Sequence, residues 1–484
     1  MGEESRKLDV ILFPFLAHGH MIPMLDIARL FVSRGAKATI ITTTLNAPTV
    51  LKSIQNSQKL GAPIDLEIFP FSTRQVGLPE GVESFEQAIG LDMFGQFMAA
   101  TDMLRSPLEQ LLESRRPDCL VADMFLPWAT DAAAKFDIPR LVFHGTSCFS
   151  LCAIEVLRLY PLNVPLSDDE VFFLPHLPGD IKLTRLQIPV EYRENFEGQF
   201  KRFMNRIGES EVKSYGVIVN SFYELEPAYA DYYRNDLGRR AWHIGPVSLC
   251  NRNREEKAQR GIEAAVDEHD CVKWLDSKEP NSVIYICFGS MAIFSSAQLH
   301  EIAMALESSG QQFIWVVKGR GDIRENDQEW LPEGFEERME GKGLIIRGWA
   351  PQVMILDHQA IAAFVTHCGW NSILEGISTG VSMVTWPLGA EQFFNEILVT
   401  EILKIGIPVG AKEWGKVGSV PLTVKQEAIE KAVRQIMAGE EAEEMRNRAN
   451  RLKEMALRTV EEGGSSYSDL SSLIEELCSK SKGD

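Results

Sequence analysis

The sequence predicts an α/β chain of two doubly wound parallel-sheet domains followed by a helical tail. Three observations carry this reading. The chain has 484 residues, more than one hydrophobic core ordinarily supports. Short apolar runs alternate with amphipathic runs through both halves, the pattern of buried parallel strands with helices on both faces. A polar, charged stretch, GPVSLCNRNREEKAQRGIE, separates the halves, as a linker would.

In the first half, Val10–Phe15, Ala38–Thr43, Ile64–Phe69, Cys119–Ala122 and Arg140–Phe143 read as strands. Helices are expected over Pro23–Val32, Met93–Leu112, Trp128–Lys135 and Ser147–Leu159. From residue 160 to about 197 the chain is rich in proline and charge, and reads as a loop excursion on the first domain. Strands resume at Gly216–Asn220 and Trp242–Gly245. The second half places strands at Val283–Cys287, Phe313–Val317, Leu344–Arg347, Ile361–Val365 and Ser382–Trp386. From Val424 to Leu477 it is helical and charged, interrupted by EEGGSS at Glu461–Ser466. The expected boundaries are a first domain at 1–246, a linker at 247–262, a second domain at 263–460 and a tail at 461–484 that packs back on the first domain.

Composition narrows the function classes. The chain is 45% hydrophobic and 24% charged, that of a globular protein. A net charge of −19 argues against nucleic acid or an anionic membrane surface as partner. Eight cysteines lie scattered, with no C-x-x-C, which fits buried thiols in a reducing compartment. The opening MGEESRKLDVILFPF lacks a signal-peptide layout, and no run reaches the roughly 18 apolar residues of a membrane helix. A cytoplasmic, soluble protein is expected, and a monomer.

The densest chemistry is FVTHCGWNSILEGISTG, Phe364 to Gly380. His367 follows a strand, and Asn371 and Ser372 open a helix. Ligands of open α/β sheets sit beyond the carboxyl ends of strands, and a helix N-terminus favours an anion, most often a phosphate. Ser372 and Glu375 also spell S-x-x-E, a capping box that needs no ligand. That alternative does not explain why His367 and Trp370 crowd the same turn. Other strand ends add to it: Ser290 after Gly289, Trp349 and Gln352 around Pro351, and Glu391 with Gln392 after Pro387. A base stack, a diphosphate pocket and a hydroxyl clamp together describe a nucleotide sugar, although each residue alone could be core or an exposed helix start.

Residues Trp349 to Gln392, WAPQVMILDHQAIAAFVTHCGWNSILEGISTGVSMVTWPLGAEQ, resemble the 44-residue signature box of plant secondary-metabolite UDP-glycosyltransferases, family 1 of the glycosyltransferases. FPFLAHGHMIP, PDCLVADMF and NSFYELE extend the resemblance along the chain. It implies two Rossmann-like domains facing a cleft, the GT-B architecture. It implies that Trp349 stacks on uracil, with the Ala350 backbone reading its edge, and that Gln352 and Glu375 face the ribose. Ser290, His367, Asn371 and Ser372 would hold the diphosphate; Trp370, Glu391 and Gln392 the sugar. Position 391 is often aspartate in the family. The terminal Gln392 resembles enzymes that use UDP-glucose, and Glu391 would repel the carboxylate of a glucuronic acid donor.

FLAHGHMIPMLDIARLF places His18 and His20 between the first strand and its helix. With Pro23 taken as the first helical turn, His20 stands at the helix N-terminus, where the dipole disfavours imidazolium and leaves a base. The resemblance gives the base role to His20. It gives Asp123, at the end of strand 119–122, the role of holding the imidazole in one tautomer. His20 and Asp123 could instead be a satisfied loop histidine and a helix cap. Phe15, Met21, Phe125, Phe149 and the loop 71–95 are candidates for an apolar acceptor wall, or simply core.

The expected function is therefore an inverting, UDP-glucose-dependent O-glucosyltransferase that adds a β-glucosyl group to a small hydrophobic plant metabolite, a flavonoid, other phenolic or triterpenoid. UDP-glucose is a substrate, and no cofactor is expected. No Asp-x-Asp occurs, so metal independence is expected, and His18 with His20 has no third ligand at fitting spacing. The G-x-G-x-x-G of a dinucleotide oxidoreductase is absent. A nucleotide-sugar epimerase or hydrolase, or a non-catalytic metabolite-binding protein, remains the alternative that product analysis separates.

Overall fold

Val10, Ile11, Leu12 and Phe13 are completely shielded from solvent, because their strand lies inside a sheet covered on both faces. Ile11 and Phe13 join one core with Leu120, Ala122 and Trp128; Val10 and Leu12 join another with Val121 and Leu141. A continuous apolar run is what two covered faces demand. The computed structural model describes residues 7–480 except 60, 62, 91–92, 161–166, 169, 194–197, 318–329 and 416–418. The chain divides into a first unit of residues 1–158, 195–252 and 458–484 and a second of 159–194 and 253–457.

The strands of the first unit are β1 (Asp9–Phe13), β2 (Lys37–Thr43), β3 (Asp65–Phe69), β4 (Cys119–Asp123) and β5 (Arg140–His144), then, after β6 (Val171–Phe173) and β7 (Lys182–Thr184), β8 (Gly216–Val219) and β9 (Ala241–His243). They form one parallel sheet in the order β3-β2-β1-β4-β5-β8-β9. The order reverses between β1 and β4, the switch point where such sheets bind ligands. The second unit repeats this with β10 (Val283–Cys287), β11 (Gln312–Val317), β12 (Gly343–Arg347), β13 (Ile361–Thr366), β14 (Ser382–Thr385) and β15 (Gly406–Pro408), ordered β12-β11-β10-β13-β14-β15 and parallel throughout. Its switch point lies between β10 and β13. No described helix is long and apolar enough to cross a membrane.

The helix expected over Met93–Leu112 is two, Phe94–Asp102 and Arg105–Arg115. Pro107 is the reason: it lacks an N–H, and its ring clashes with the carbonyl four residues back, at Met103. The segment expected as an excursion of the first domain groups instead with the second unit, as Leu159–Glu194. Among its described residues, β6 and β7 form an antiparallel hairpin, and the Leu186 carbonyl accepts the Trp414 N–H at 2.8 Å.

The last helix, Ser465–Lys480, belongs to the first unit. Leu470, Leu473 and Leu477, at the spacing of one helical face, enter the core beside Val10 and Leu12. Asp469 accepts from the His243 N–H at 2.8 Å and from Arg234 at 2.8 Å, which fastens the helix to β9.

Candidate active site

In the first unit the helix after β1 begins at His18, with Ala17 as its N-cap. It starts five residues before the expected Pro23, so His20 lies within the first turn rather than ahead of it. The His20 N–H bonds to the Ala17 carbonyl at 2.9 Å. β4 pairs with β1 in register Phe13 to Ala122, which carries Asp123 beside this turn. His20 Nδ1 meets Asp123 Oδ2 at 2.7 Å, with Asp123 fully buried and His20 21% exposed. The other carboxylate oxygen accepts the Phe125 N–H at 3.0 Å. A carboxylate oxygen accepts, so Nδ1 is the donor of this bond, which turns Nε2 away from Asp123. That is the arrangement of a general base with its orienting acid.

His18 has a separate partner. Its Nδ1 lies 2.9 Å from Glu86 Oε1, and its backbone N–H donates to the same oxygen at 2.7 Å. Burial pushes the Glu86 pKa up, but the hydrogen bond and charge of His18 outweigh this and leave it below the ordinary value. Glu86 thus serves the start of this helix from the first turn of another, Phe85–Gly90. Nothing in the pattern around Glu86 announces it.

Arg140, at the start of β5, was also not foreseen. Its side chain is buried and donates to the carbonyls of Ala122 (3.3 Å), Asp123 (2.8 Å) and Leu126 (3.4 Å), and to Thr130 Oγ1 (2.6 Å). Burial lowers its pKa to about 10, with Asp123 and Glu211 acting against the fall, so it stays cationic at neutral pH. The signal available in sequence was one arginine opening an otherwise apolar strand.

Around His20 the walls are aromatic. The rings of Phe15 and Phe125 lie 5.5 and 5.4 Å from the imidazole, and Phe85, Phe94 and Phe97 continue the cluster. Phe125, Phe85, Phe94 and Phe200 are partly exposed, whereas Phe15 and Met21 are buried. Phe149 is fully buried with its ring 4.7 Å from Tyr229. It is a core residue there, because its helix turns that face inward. Within the loop 71–95, residues 91–92 lie outside the described residues.

In the second unit, the ends of β10 and β13 bring Gly289 and His367 together. A Cβ on Gly289 would lie 2.7 Å from His367 Cε1, and Gly289 has φ +70°. Only glycine allows both the close approach and that backbone. Cys368 and Ala390 also adopt left-handed backbone, φ 65° and 48°. Such strain in non-glycine residues gathers at functional turns.

The helix at this turn is Trp370–Thr379 with Gly369 as N-cap and no side-chain cap. Ser372 is therefore its third residue, and the expected capping box does not form. Ser372 Oγ instead accepts from Gln352 Nε2 at 3.1 Å, and Glu375 Oε2 accepts from the same nitrogen at 2.7 Å. The first intrahelical bond of the turn runs from Ile373 N–H to Gly369 C=O, so the N–H groups of Trp370, Asn371 and Ser372 precede the ladder, at its positive end.

Trp370 is 2% exposed, and Ala350 is buried beside a half-buried Trp349. Ser290, half-buried, follows Gly289. Gln392 Oε1 accepts the N–H groups of Leu388 (2.8 Å) and Gly389 (3.0 Å), which holds the turn after β14. Glu391 Oε1 accepts from Asn395 Nδ2 at 3.2 Å, and Asn395 also donates to the Cys368 carbonyl at 2.9 Å. The turns after β13 and β14 are thus tied together.

Burial lowers the His367 pKa from 6.5 to about 4, so its ring is neutral at pH 7 and offers one N–H. The unfolded chain takes up this proton near pH 6.5, the native chain only near 4. This site's contribution to stability is therefore intact above pH 6.5 and shrinks as pH falls toward 4, by roughly 3 kcal/mol. His367→Gln is expected to flatten that part of the acid limb in urea melts at pH 4.5 and 7. Equal losses in both proteins would contradict it.

Residues 261–446 match the family described as UDP-glucoronosyl and UDP-glucosyl transferase. The chain is 55% identical to a scopoletin glucosyltransferase of Nicotiana tabacum, over 97% of this chain and 98% of that one. It is 55% identical to an anthocyanin 3'-O-beta-glucosyltransferase of Gentiana triflora, over 98% and 99%. Among solved structures, Glycyrrhiza uralensis UGT73P12 complexed with glycyrrhetinic acid 3-O-monoglucuronide superposes with a TM-score of 0.91 at 41% identity, covering 98% of this chain and 96% of that one. Arabidopsis thaliana UGT89C1 complexed with UDP-L-rhamnose gives 0.74 at 30% identity, covering 98% and 100%. Paired parallel sheets of matching strand order, a glycine-lined histidine turn at the second switch point and near-complete alignment with these enzymes agree: the chain is a glycosyltransferase of the plant UDP-glycosyltransferase family.

Proposed function

We propose that this chain is an inverting O-glucosyltransferase that moves glucose from UDP-glucose to a hydroxyl of a small hydrophobic plant metabolite. The observation that carries the mechanism is the 2.7 Å pairing of His20 with a fully buried Asp123. His20 Nε2 takes the proton of the acceptor hydroxyl. The oxygen attacks the anomeric carbon opposite UDP, the bond to the β-phosphate oxygen breaks, and UDP leaves with that electron pair. The α-linked donor becomes a β-glucoside. Asp123 stabilises the imidazolium that forms. General-base action supplies about 10²–10⁴-fold, and stabilising the leaving diphosphate supplies the larger share.

On this reading the second unit holds the donor. Trp349 and the Ala350 backbone take the uracil, Gln352 and Glu375 the ribose, Ser290, His367, Asn371 and Ser372 the diphosphate, and Trp370, Glu391 and Gln392 the sugar. His367 acts there as a neutral hydrogen-bond donor. The Gln392 carbonyl is occupied by its own turn, so its NH₂ end is the part offered to glucose. The partly exposed rings of Phe85, Phe94, Phe125 and Phe200 form the acceptor wall with Phe15 behind them, and Met21 and Phe149 support it from the core. Scopoletin, anthocyanin and flavonoid glucosyltransferases among the relatives favour a phenolic acceptor, and the glycyrrhetinic acid derivative in UGT73P12 leaves room for a triterpenoid. The enzyme works as a cytoplasmic monomer without metal, consistent with the missing Asp-x-Asp.

The test is an acceptor screen with UDP-glucose, read by mass spectrometry. A flavonoid, coumarin or triterpenoid that gains one hexose, as a β-linkage by NMR, is expected. UDP-glucose binding with no acceptor gaining a hexose, or conversion of the donor alone, would overturn the proposal.

A further inference from the structure

One dipeptide touches both residues assigned to the nucleoside. Arg260 Nη1 donates to Glu375 Oε1 at 2.5 Å, with the two side chains 8% and 5% exposed. Gly261, next in sequence, lies against the indole of Trp349: a Cβ there would sit 2.6 Å from Trp349 Cζ2, and its φ of +103° is a glycine conformation. Four residues on, the Ala265 N–H donates to the Trp349 carbonyl at 2.8 Å.

Glu375 is thus held at both oxygens, Oε1 by Arg260 and Oε2 by Gln352, whose own Oε1 accepts from the buried Tyr285 hydroxyl at 3.3 Å. A near-buried carboxylate needs such partners. This one also stands one turn into the helix whose N-terminus faces the diphosphate, where an uncompensated negative charge would work against the donor. A guanidinium is suited to both tasks, because its planar N–H donor gives Oε1 a directed bond while its permanent charge offsets that of the carboxylate.

We propose that Arg260–Gly261 is a positioning element for the nucleoside half of the donor: Arg260 orients and neutralises Glu375 toward the ribose, and Gly261 sets the plane of the Trp349 indole toward the base. The inference rests on the reading of Glu375 as ribose-facing and Trp349 as base-facing. The two halves of the element separate experimentally. Arg260 acts on ribose discrimination, Gly261 on base affinity.

The experiment titrates the full-length enzyme with UDP and with 2′-deoxy-UDP by calorimetry, alongside steady-state kinetics. The wild type is expected to prefer UDP at least about tenfold, since a site built around a hydroxyl is left unsatisfied without it. In Arg260→Met the preference shrinks to within about threefold, and KM for UDP-glucose rises with kcat within about threefold. Arg260→Lys, which keeps the charge but not the planar, directed donor, lies between. Gly261→Ala weakens both nucleotides equally and keeps the preference. Glu375→Ala loses the preference, as the control. Should Arg260→Met not fold, Arg260→Gln carries the same measurement. A wild-type preference in the Met or Gln variant, with Glu375→Ala discriminating no longer, overturns the role of Arg260 alone. A preference retained by Glu375→Ala overturns the ribose reading and the proposal with it.

Discussion

Replacing His20 by alanine is expected to lower kcat about 10³-fold and to leave the affinity for UDP within about threefold. The size follows from the role. On the proposed mechanism the imidazole removes the acceptor proton, and water at neutral pH replaces it poorly. The selectivity follows from the placement, because His20 belongs to the first unit and every donor-box residue to the second. Asp123 sharpens the expectation. Its carboxylate is wholly buried and spent on His20 and on the Phe125 N–H, so removal of the ring also strands a buried charge. Thermal unfolding is therefore measured beside kinetics, and His20→Gln, which can still donate to Asp123, serves as the stability-matched comparison. Its kcat falls as far as that of the alanine variant, since an amide is no base. A His20→Gln enzyme retaining a tenth of wild-type kcat would rule out His20 as the base.

Arg140→Met is expected to cost about 3–5 kcal/mol of stability, the scale of losing several hydrogen bonds made by one buried guanidinium. Exchanging a buried ion for a hydrocarbon can be neutral when its partners go too. Here they stay. The carbonyls of Ala122, Asp123 and Leu126 and the hydroxyl of Thr130 lose one donor each, with the Leu126 and Ala129 N–H groups still reaching Asp123 and Leu126, and hydrogen bonds to a charged group contribute about 1.5–3 kcal/mol apiece. Activity falls beyond what unfolding explains, because those three carbonyls belong to the end of β4 and the turn after it, the segment that carries Asp123. Differential scanning calorimetry with kcat measured well below the transition checks both parts. A loss under 1 kcal/mol would show that the turn holds itself.

What could be read from the residues alone follows what local chemistry determines. The strands of both sheets were legible because burial on two faces leaves an unbroken apolar run, as in β4, CLVAD, every residue of which is buried. The three residues of β15 were too short for any pattern. The start of the His18 helix was misplaced because Pro23 resembles a first-turn proline, while the cap comes from Glu86, some 68 residues away. The S-x-x-E at Ser372 misled for a related reason: the pattern is local, but Gly369 begins the helix and Arg260 and Gln352 claim the carboxylate. Glu86 and Arg260 share this trait, each acting through a partner far off in the chain that no window of sequence reports. Arg140 reaches back over only 14 to 18 residues to its three carbonyls, but backbone carbonyls leave no mark in a sequence. The roles of the donor-box residues came from the family resemblance rather than from physics; the residues themselves yielded only an anion-friendly turn.

The closing helix has a practical consequence for protein engineering. Since its leucines complete the core of a unit built mostly from the other end of the chain, the enzyme is not two beads on a string that one cut can part. A chimera that trades acceptor preference by importing the leading 250 or so residues from a relative must import that relative's terminal helix as well, or the hybrid inherits a mismatched hydrophobic seam.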